Sequence, residues 1–526
     1  MSEARPEAVP RQRVGVVLLG LMLAMLLAML DNMIVSTALP RIVGEFKALD
    51  HLSWVVTAYV LGTTVSTPIW GKIGDLYGRK NIFLTSVVGF LIGSALCGMS
   101  QSMGQLIGFR AFQGIAAGGL MVGVMAIIGD LVPPRERGKY QGQMAAVMAV
   151  AMIAGPLAGG FITDHLSWRW AFYVNLPVGG VALLVLLATL RLPVRRTEHR
   201  IDWVGAGLLS VGITGLVLIT TWGGNEYAWA SWQIVGLAVL SLVALASFLL
   251  VERRATEPIM SLGLFRNRNF SLVSVIGFLV GFGMMGSVAF LPMYQQNVQG
   301  ASATNSGLLL LPMMVGVLVV SVVVGQTITR TGRYRWFPIV GGVVMTTGAG
   351  LLSFLTVETT KVQTSLYMVV LGAGMGFLMQ TTMLIAQNSV DPRDLGVASS
   401  TATFFRSIGG SFGVSLFGAI FTNRLKDDLA THLPPQLSSQ VSGGGAGALD
   451  PRHINALPEP LHGALLHAIA LGTSTIFLVS VAFMMFIPML AFFIREVPLR
   501  SSGDQPGPAP AGEHSGADLA GAGLPG

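Results

Sequence analysis

Charge is what this 526-residue chain has least of. Only 11% of its residues are Asp, Glu, Lys or Arg, whereas a water-facing domain carries about 25%. That shortage excludes a soluble enzyme, a nucleic-acid binder and a disordered protein. Cysteine is nearly absent as well. The single Cys97 rules out an intramolecular disulfide and a cysteine-based metal site. No phosphate-binding loop of the G-x-x-x-x-G-K-[ST] type occurs, so ATP-driven pumping by this chain alone is not expected. What remains is apolar. Hydrophobic residues make up 52% of the chain and the mean hydropathy is +0.68. The net charge of +7 then reads as loop arginines facing anionic lipid. The expectation is an all-α integral membrane protein.

A membrane-crossing helix needs about 20 mostly apolar residues. Runs free of charged residues occur at Val14–Leu30, His51–Gly71, Asn81–Phe109, Ala111–Gly129, Tyr140–Thr163, Trp170–Leu190, Trp203–Asn225 and Tyr227–Val251. They continue at Asn269–Thr329, Trp336–Val357, Val362–Val390, Leu395–Asn423 (interrupted by Arg406) and Pro460–Ile494. The run Asn269–Thr329 is too long for one crossing, and its polar middle around Gln295–Asn305 divides it. Fourteen spans are expected. The first is too long for a signal peptide and has no cleavage site after a short apolar core.

Most of the 32 Lys and Arg then fall on one side, the inside. Arg41, Lys47, Arg169, Lys361, Arg424, Lys426 and Arg452 lie outside, and Arg110 and Arg406 lie within spans. This alternation places both termini in the cytoplasm of a multi-pass protein of the cell membrane.

The loop after the second span, Gly71-Lys-Ile-Gly-Asp75-Leu-Tyr-Gly78-Arg79-Lys80, has a partner after the tenth, Gly325-Gln-Thr-Ile-Thr329-Arg-Thr-Gly332-Arg333. Both repeat Gly–Gly seven apart followed by Arg at the same kind of turn. The reading is two related six-span halves with two spans inserted between them, as in secondary transporters whose substrate sites lie between repeats. The expected organisation is an N-terminal segment at 1–13, a first half at 14–191, an insert at 192–254 and a second half at 255–495. A Pro/Gly/Ser-rich extracytoplasmic loop at 423–460 and a disordered cytoplasmic tail at 496–526 complete it.

The Gly71–Lys80 loop resembles the signature loop of the major facilitator superfamily. The stretch Gly155-Pro156-Leu157-Ala158-Gly159-Gly160 is similar to the antiporter motif of that family, with Ala151 where a glycine is usual. Leu30-Asp31-Asn32 through Pro40 resembles the first-span motif of the fourteen-span drug:proton antiporters (the EmrB/QacA type). Arg110-Ala-Phe-Gln113-Gly114, Trp168–Pro177, Leu291–Gln295 and Phe405–Gly410 match as well. The resemblance covers the chain from about residue 14 to 495.

Asp31 is the only carboxylate well inside a span. At about 1.5 Å per residue from Val14 it lies near or beyond the bilayer centre. A bare charge there costs at least about 2.5–3.5 kcal/mol, so it must face a cavity, bind a cation or take up a proton. The alternative is an acid hydrogen-bonded in place to fix helix packing. Arg110, with Gln113 on the same helical face, needs carbonyls, water or an acid. The resemblance implies a part in proton coupling, and a helix-to-helix bolt is the competing role. Arg406 poses the same question.

Gly155 and Gly159 extend from Ala151 as a small-residue stripe that lets helices touch, and Pro156 should bend the fifth span. The resemblance implies that this motif, including Gly160, marks exporters and not uptake symporters. It also implies that Asp75, flanked by Gly71, Gly78 and Arg79, caps a helix of the other half starting near Gly396. That arrangement is a conformational latch, and anions are stabilised at helix N-termini. Asp130, at the inner end of the fourth span beside Arg135 and Arg137, either joins this charge network or forms an ordinary helix-end ion pair. Tyr294, Gln295, Gln380, Gln387 and Asn388 are expected to line a midplane cavity with Gln113 and Arg406.

The expected function is proton-driven export of neutral or singly positive amphiphiles by alternating access, conferring multidrug resistance. An exporter dedicated to one antibiotic or metabolite is the alternative, ahead of a proton-coupled uptake symporter. A membrane enzyme or a channel lacks its sequence signature. No cofactor, metal or nucleic acid is expected, the proton gradient supplies the energy, and no accessory periplasmic partner is indicated.

Overall fold

A computed structural model describes residues 11–46, 52–192, 202–223, 227–255, 258–301, 309–391, 394–432 and 461–499. Within them the chain forms fourteen long helices. The first half holds α1 (Arg11–Phe46), α2 (Leu52–Tyr77), α3 (Arg79–Met99), α4 (Met103–Leu131), α5 (Pro134–His165) and α6 (Trp170–Thr189). The insert is α7 (Trp203–Trp222) and α8 (Trp232–Glu252). The second half holds α9 (Arg268–Asn297), α10 (Leu311–Thr331), α11 (Trp336–Leu352), α12 (Lys361–Asn388), α13 (Leu395–His432) and α14 (Leu461–Met484, continued by Phe486–Phe492). Twelve are long and apolar enough to cross a membrane by length and composition. The other two are α11, apolar but only 17 residues, and α2, whose buried face carries Thr57, Thr64, Ser66, Thr67 and Lys72.

Helices are what an apolar environment demands, because every backbone N–H and C=O must find its partner within the segment. Polar residues sit at the ends. Ser102, Asp202 and Ser231 cap α4, α7 and α8, and Thr360 with Gln363 forms a capping box on α12. The outward surface stays apolar. Only 22% of the apolar window of α8 is buried, and Leu184, Leu242, Leu250 and Phe354 all point away from the protein. Exposed apolar surface on that scale belongs against lipid.

Two cores organise the bundle. Residues of α1, α3 and α4, among them Leu21, Phe83, Phe90 and Leu120, pack in the first half. Phe270, Met313, Met345, Leu371 and Phe477 pack in the second. A separate cluster joins Leu209, Ile213 and Phe248 of the insert to Leu61 and Val65 of α2 and Phe404 of α13. The insert therefore lies across the seam, with α7 touching both α2 and α13 and α8 packed on α7, a placement hydropathy could not reveal.

The repeated turns share one backbone feature. Gly78 (φ 96°) and Gly332 (φ 71°) both adopt the left-handed region, which glycine enters at no steric cost. Two boundaries differ from expectation. Helix α13 continues to His432, so the loop expected from residue 423 starts later, because a helix runs past the end of its apolar stretch when its polar last turns reach water. Helix α1 starts at Arg11, ahead of the expected 14. Residues 433–460 and 500–526, the bulk of the expected loop and tail, lie outside the described residues.

Candidate functional site: a buried ion pair and a latch

Glycines bring α2 and α4 into contact. A Cβ on Gly114 would lie 2.3 Å from the Tyr59 carbonyl oxygen, and one on Gly62 would lie 2.6 Å from that of Ala111. Only glycine allows this approach, and it slides the Tyr59 ring under Arg110, 4.1 Å from guanidinium carbon to ring centroid. Arg110 is fully buried, as is Asp31 on α1. The Arg110 guanidinium donates to Asp31 Oδ2 at 2.5 Å and to Gln113 Oε1 at 2.9 Å, and its Nε reaches the Val55 carbonyl at 3.4 Å.

Gln113 Nε2 and Asn175 Nδ2 both donate to Asp31 Oδ1, at 2.9 and 2.6 Å. Asn175 also donates to Ser94 Oγ at 2.9 Å. Three donors converge on this carboxylate, one of them the Arg110 cation, which is a setting that suits an anion. Five helices meet at it.

Asn175 had no role in the sequence reading. It is a neutral amide in an apolar run, so nothing marked it by charge. Its place follows from Pro177, which has no N–H to offer the Tyr173 carbonyl. Accordingly α6 breaks at Val174, between Trp170–Tyr173 and Asn175–Thr189. Asn175 opens the second piece and turns toward Asp31.

Gly155 and Gly159 dock α5 on the same stretch of α1. Cβ atoms there would lie 2.3 Å from Met33 Cβ and 1.9 Å from Thr37 Oγ1. Gly160 does not belong to this seam, since a Cβ on it would meet nothing within 4 Å; it points away from α1. Helix α5 runs unbroken past position 156, and the Pro156 side chain lies outside the described residues.

At the end of the bundle carrying Arg79 and Lys80, here called the basic end, the halves meet. Asp75 accepts from the backbone N–H of Gly396 at 3.2 Å and of Val397 at 2.9 Å, the first turn of α13. A Cβ on Gly396 would lie 2.4 Å from Asp75 Oδ1, and one on Gly71 would lie 2.5 Å from Ser400 Oγ. Arg79 binds Asp75 at 2.6 Å and pairs with Asp130. Gly78 supplies the turn that starts α3. Gln387 Nε2 reaches the Met125 carbonyl of α4 at 3.2 Å. The basic end is closed in this state.

The expected cavity residues divide. Arg406 opens onto a small cavity with Gly277, Met379, Thr382 and Met383. Gln380 is buried beside Gly142 of α5, its Oε1 without a partner, and Gln295 is buried against Met368. Gln113 belongs to the Asp31 cluster. Tyr294 and Asn388 do not line a midplane cavity. Tyr294 lies near the far end of α9 and donates to the Thr356 carbonyl at 2.6 Å. Asn388 is the last residue of α12 and bonds the Val497 carbonyl at 3.3 Å. Gln387 is likewise at the contact between halves. A rise of about 1.5 Å per residue puts the end of a 28-residue helix far from its middle.

The model of the Major Facilitator Superfamily matches residues 21–414. The chain belongs to this superfamily. Membership makes it a multi-pass membrane transporter and not an enzyme. An uncharacterised MFS-type transporter of Mycobacterium tuberculosis strain H37Rv is 41% identical over 490 residues, covering 93% of this chain and 70% of the relative. The multidrug transporter protein MdtP of Bacillus subtilis is 40% identical, covering 80% of this chain and 77% of its own. Multidrug resistance protein 3 of the same organism is 37% identical, covering 88% and 92%. Among solved structures, the proton:xylose symporter XylE superposes with a TM-score of 0.59 at 15% identity, covering 90% of this chain and 95% of XylE. That likeness concerns the fold alone.

Proposed function

We propose that this superfamily member is a proton-driven exporter of small amphiphilic molecules, drugs and antibiotics included, working by alternating access in the cell membrane with both termini in the cytoplasm. The Asp31–Arg110 pair is the observation that carries the proposal. In the state described here the carboxylate is matched by the guanidinium and sealed from solvent. Taking up a proton cancels the attraction to Arg110 and loosens the contact of α1 with α4. Proton arrival and helix movement are thereby one event. A proton entering down 100 mV supplies about 2.3 kcal/mol from the potential alone.

The latch supports the other half of the cycle. Asp75 seated on the N-terminus of α13 holds the basic end shut, the cytoplasmic end in this proposal, and releases it when the halves rock. Relatives named as multidrug transporters support the direction and the broad substrate class. The energy source is the proton gradient, with no bound cofactor. With one deep carboxylate, transported molecules are neutral overall or singly positive, since a divalent cation calls for a second buried acid.

Inverted vesicles with an imposed pH gradient and a fluorescent pH dye test the proposal. Ethidium added to wild-type vesicles should release protons, and Asp31→Asn vesicles should not respond. If the wild type fails to respond to ethidium and to a broad drug panel, the multidrug reading falls.

A further inference from the structure

Two arginines lie within the helices at membrane depth, and they are treated oppositely. Arg110 is paired with an acid and held by an amide, a carbonyl and a ring. Arg406 has no hydrogen bond, ion pair or ring contact among the described residues, and no charged group acts on it. Its depth is central. Eleven residues from the start of α13 at about 1.5 Å each put it close to halfway through a 30 Å hydrocarbon layer. A guanidinium left bare at that depth is costly, and the cost persists in evolved membrane proteins chiefly where the charge has a function.

The surroundings are those of a subsite. The base of the side chain is fixed, because a Cβ on Gly281 of α9 would lie 2.0 Å from the Arg406 carbonyl oxygen, so α9 and α13 touch there. The guanidinium side opens onto a cavity of about 10 Å³ bounded by α9, α12 and α13, room for about one water. Its walls are apolar apart from the Thr382 hydroxyl, and two of them, Met379 and Met383, are flexible side chains that yield to an arriving group. No acid among the described residues lines the cavity. The Thr382 hydroxyl donates to the Leu378 carbonyl at 2.8 Å, so the donors that face an anion are those of the guanidinium. A planar cation with free donors beside an adaptable apolar wall makes a site for an anionic head on an apolar body.

We propose that Arg406 is a binding subsite for a single carboxylate or sulfonate carried by an amphiphilic substrate, in addition to the Asp31 centre of the first half. The inference rests on the export reading and narrows it. Among molecules neutral overall, zwitterions bearing one acid group are favoured. The guanidinium forks onto the acid oxygens, and the apolar body lies against the methionines.

Rhodamine B and its ethyl ester differ only in whether that acid is free. Their binding to the purified full-length protein in nanodiscs, followed by fluorescence anisotropy, reads out the ratio of ester Kd to acid Kd. That ratio should fall about tenfold or more in Arg406→Gln relative to wild type, as expected for the loss of hydrogen bonds to a charged group. Arg406→Lys keeps the charge without the fork and should fall between the two. Thermal unfolding of each variant confirms that it is folded. If Arg406→Gln does not fold, the lysine variant alone decides, by a ratio lowered or unchanged. A ratio changed less than about twofold in folded variants overturns the subsite, as does a wild type that fails to bind the acid. A ratio that falls as expected, in a protein showing no drug-driven proton release, keeps the subsite and refutes the export reading.

Discussion

Replacing Asp31 by Asn tests the ion pair more sharply through stability than through transport. The substitution leaves Arg110 with Gln113, the Val55 carbonyl and the Tyr59 ring, but with no anion, and its second terminal nitrogen is already buried without a partner. Breaking a buried pair from one side costs about 3–5 kcal/mol. The equilibrium for opening this region should then rise by about two to three and a half powers of ten. Arg110→Gln should cost a similar amount, because it strands the carboxylate. The double variant Asp31→Asn with Arg110→Gln leaves no bare charge and should recover at least half of either loss.

The chain carries its own probe. Cys97, its single cysteine, is fully buried and its Sγ sits 3.5 Å from Gln113 Oε1. Labelling by a thiol-reactive maleimide dye therefore reports opening of this cluster. At pH 8 in detergent, labelling should accelerate strongly in both single variants and return towards the wild-type rate in the double. Additive costs in the double variant, or an unaltered rate in Asp31→Asn, would refute the reasoning that the two charges depend on each other.

Three further outcomes follow from particular contacts. Gly396→Val drives its side chain into the Asp75 carboxylate, so it should open the latch and raise solvent labelling of a cysteine placed at Ser400, matching Asp75→Asn; an unchanged rate would dissociate Asp75 from closure. Gly159→Val should destabilise by about 1–3 kcal/mol through overpacking against Thr37, whereas Gly160→Ala, facing open space, should leave the melting temperature unaltered; equal effects would refute the seam described here. At the other end of the bundle Glu45 accepts from Arg169 at 2.8 Å and from Trp168 Nε1 at 2.6 Å. The Arg169 hydrogen bond holds the Glu45 carboxyl below its ordinary value, with burial opposing. This tie is fully present above the ordinary glutamate pKa and is lost as pH falls through the lowered one, so wild type should lose its stability margin over Glu45→Gln only in acid, as melting curves at stepped pH will report.

The fourteen helices were legible because a membrane helix closes its own hydrogen bonds and its run of apolar residues is local. Asp31, Arg110 and Arg406 were legible too, since any charge inside such a run stands out. Depth is readable too: Asn388 stands near the end of its apolar run, which places it away from the midplane. Partnership is not. Asp31 and Arg110 are 79 positions apart, and hydropathy reports how deep a residue sits but not which way it faces.

The sequence by itself determined which segments cross the membrane, where the turns fall and which charges are held at depth, because solvation in lipid acts on each segment separately. Only the tertiary structure decided that one arginine is matched and the other bare, that Asn175 completes the carboxylate's shell, and that the insert touches both halves through α7. Those outcomes depend on the rotation and contact of helices distant in the chain, set by where glycines let backbones touch.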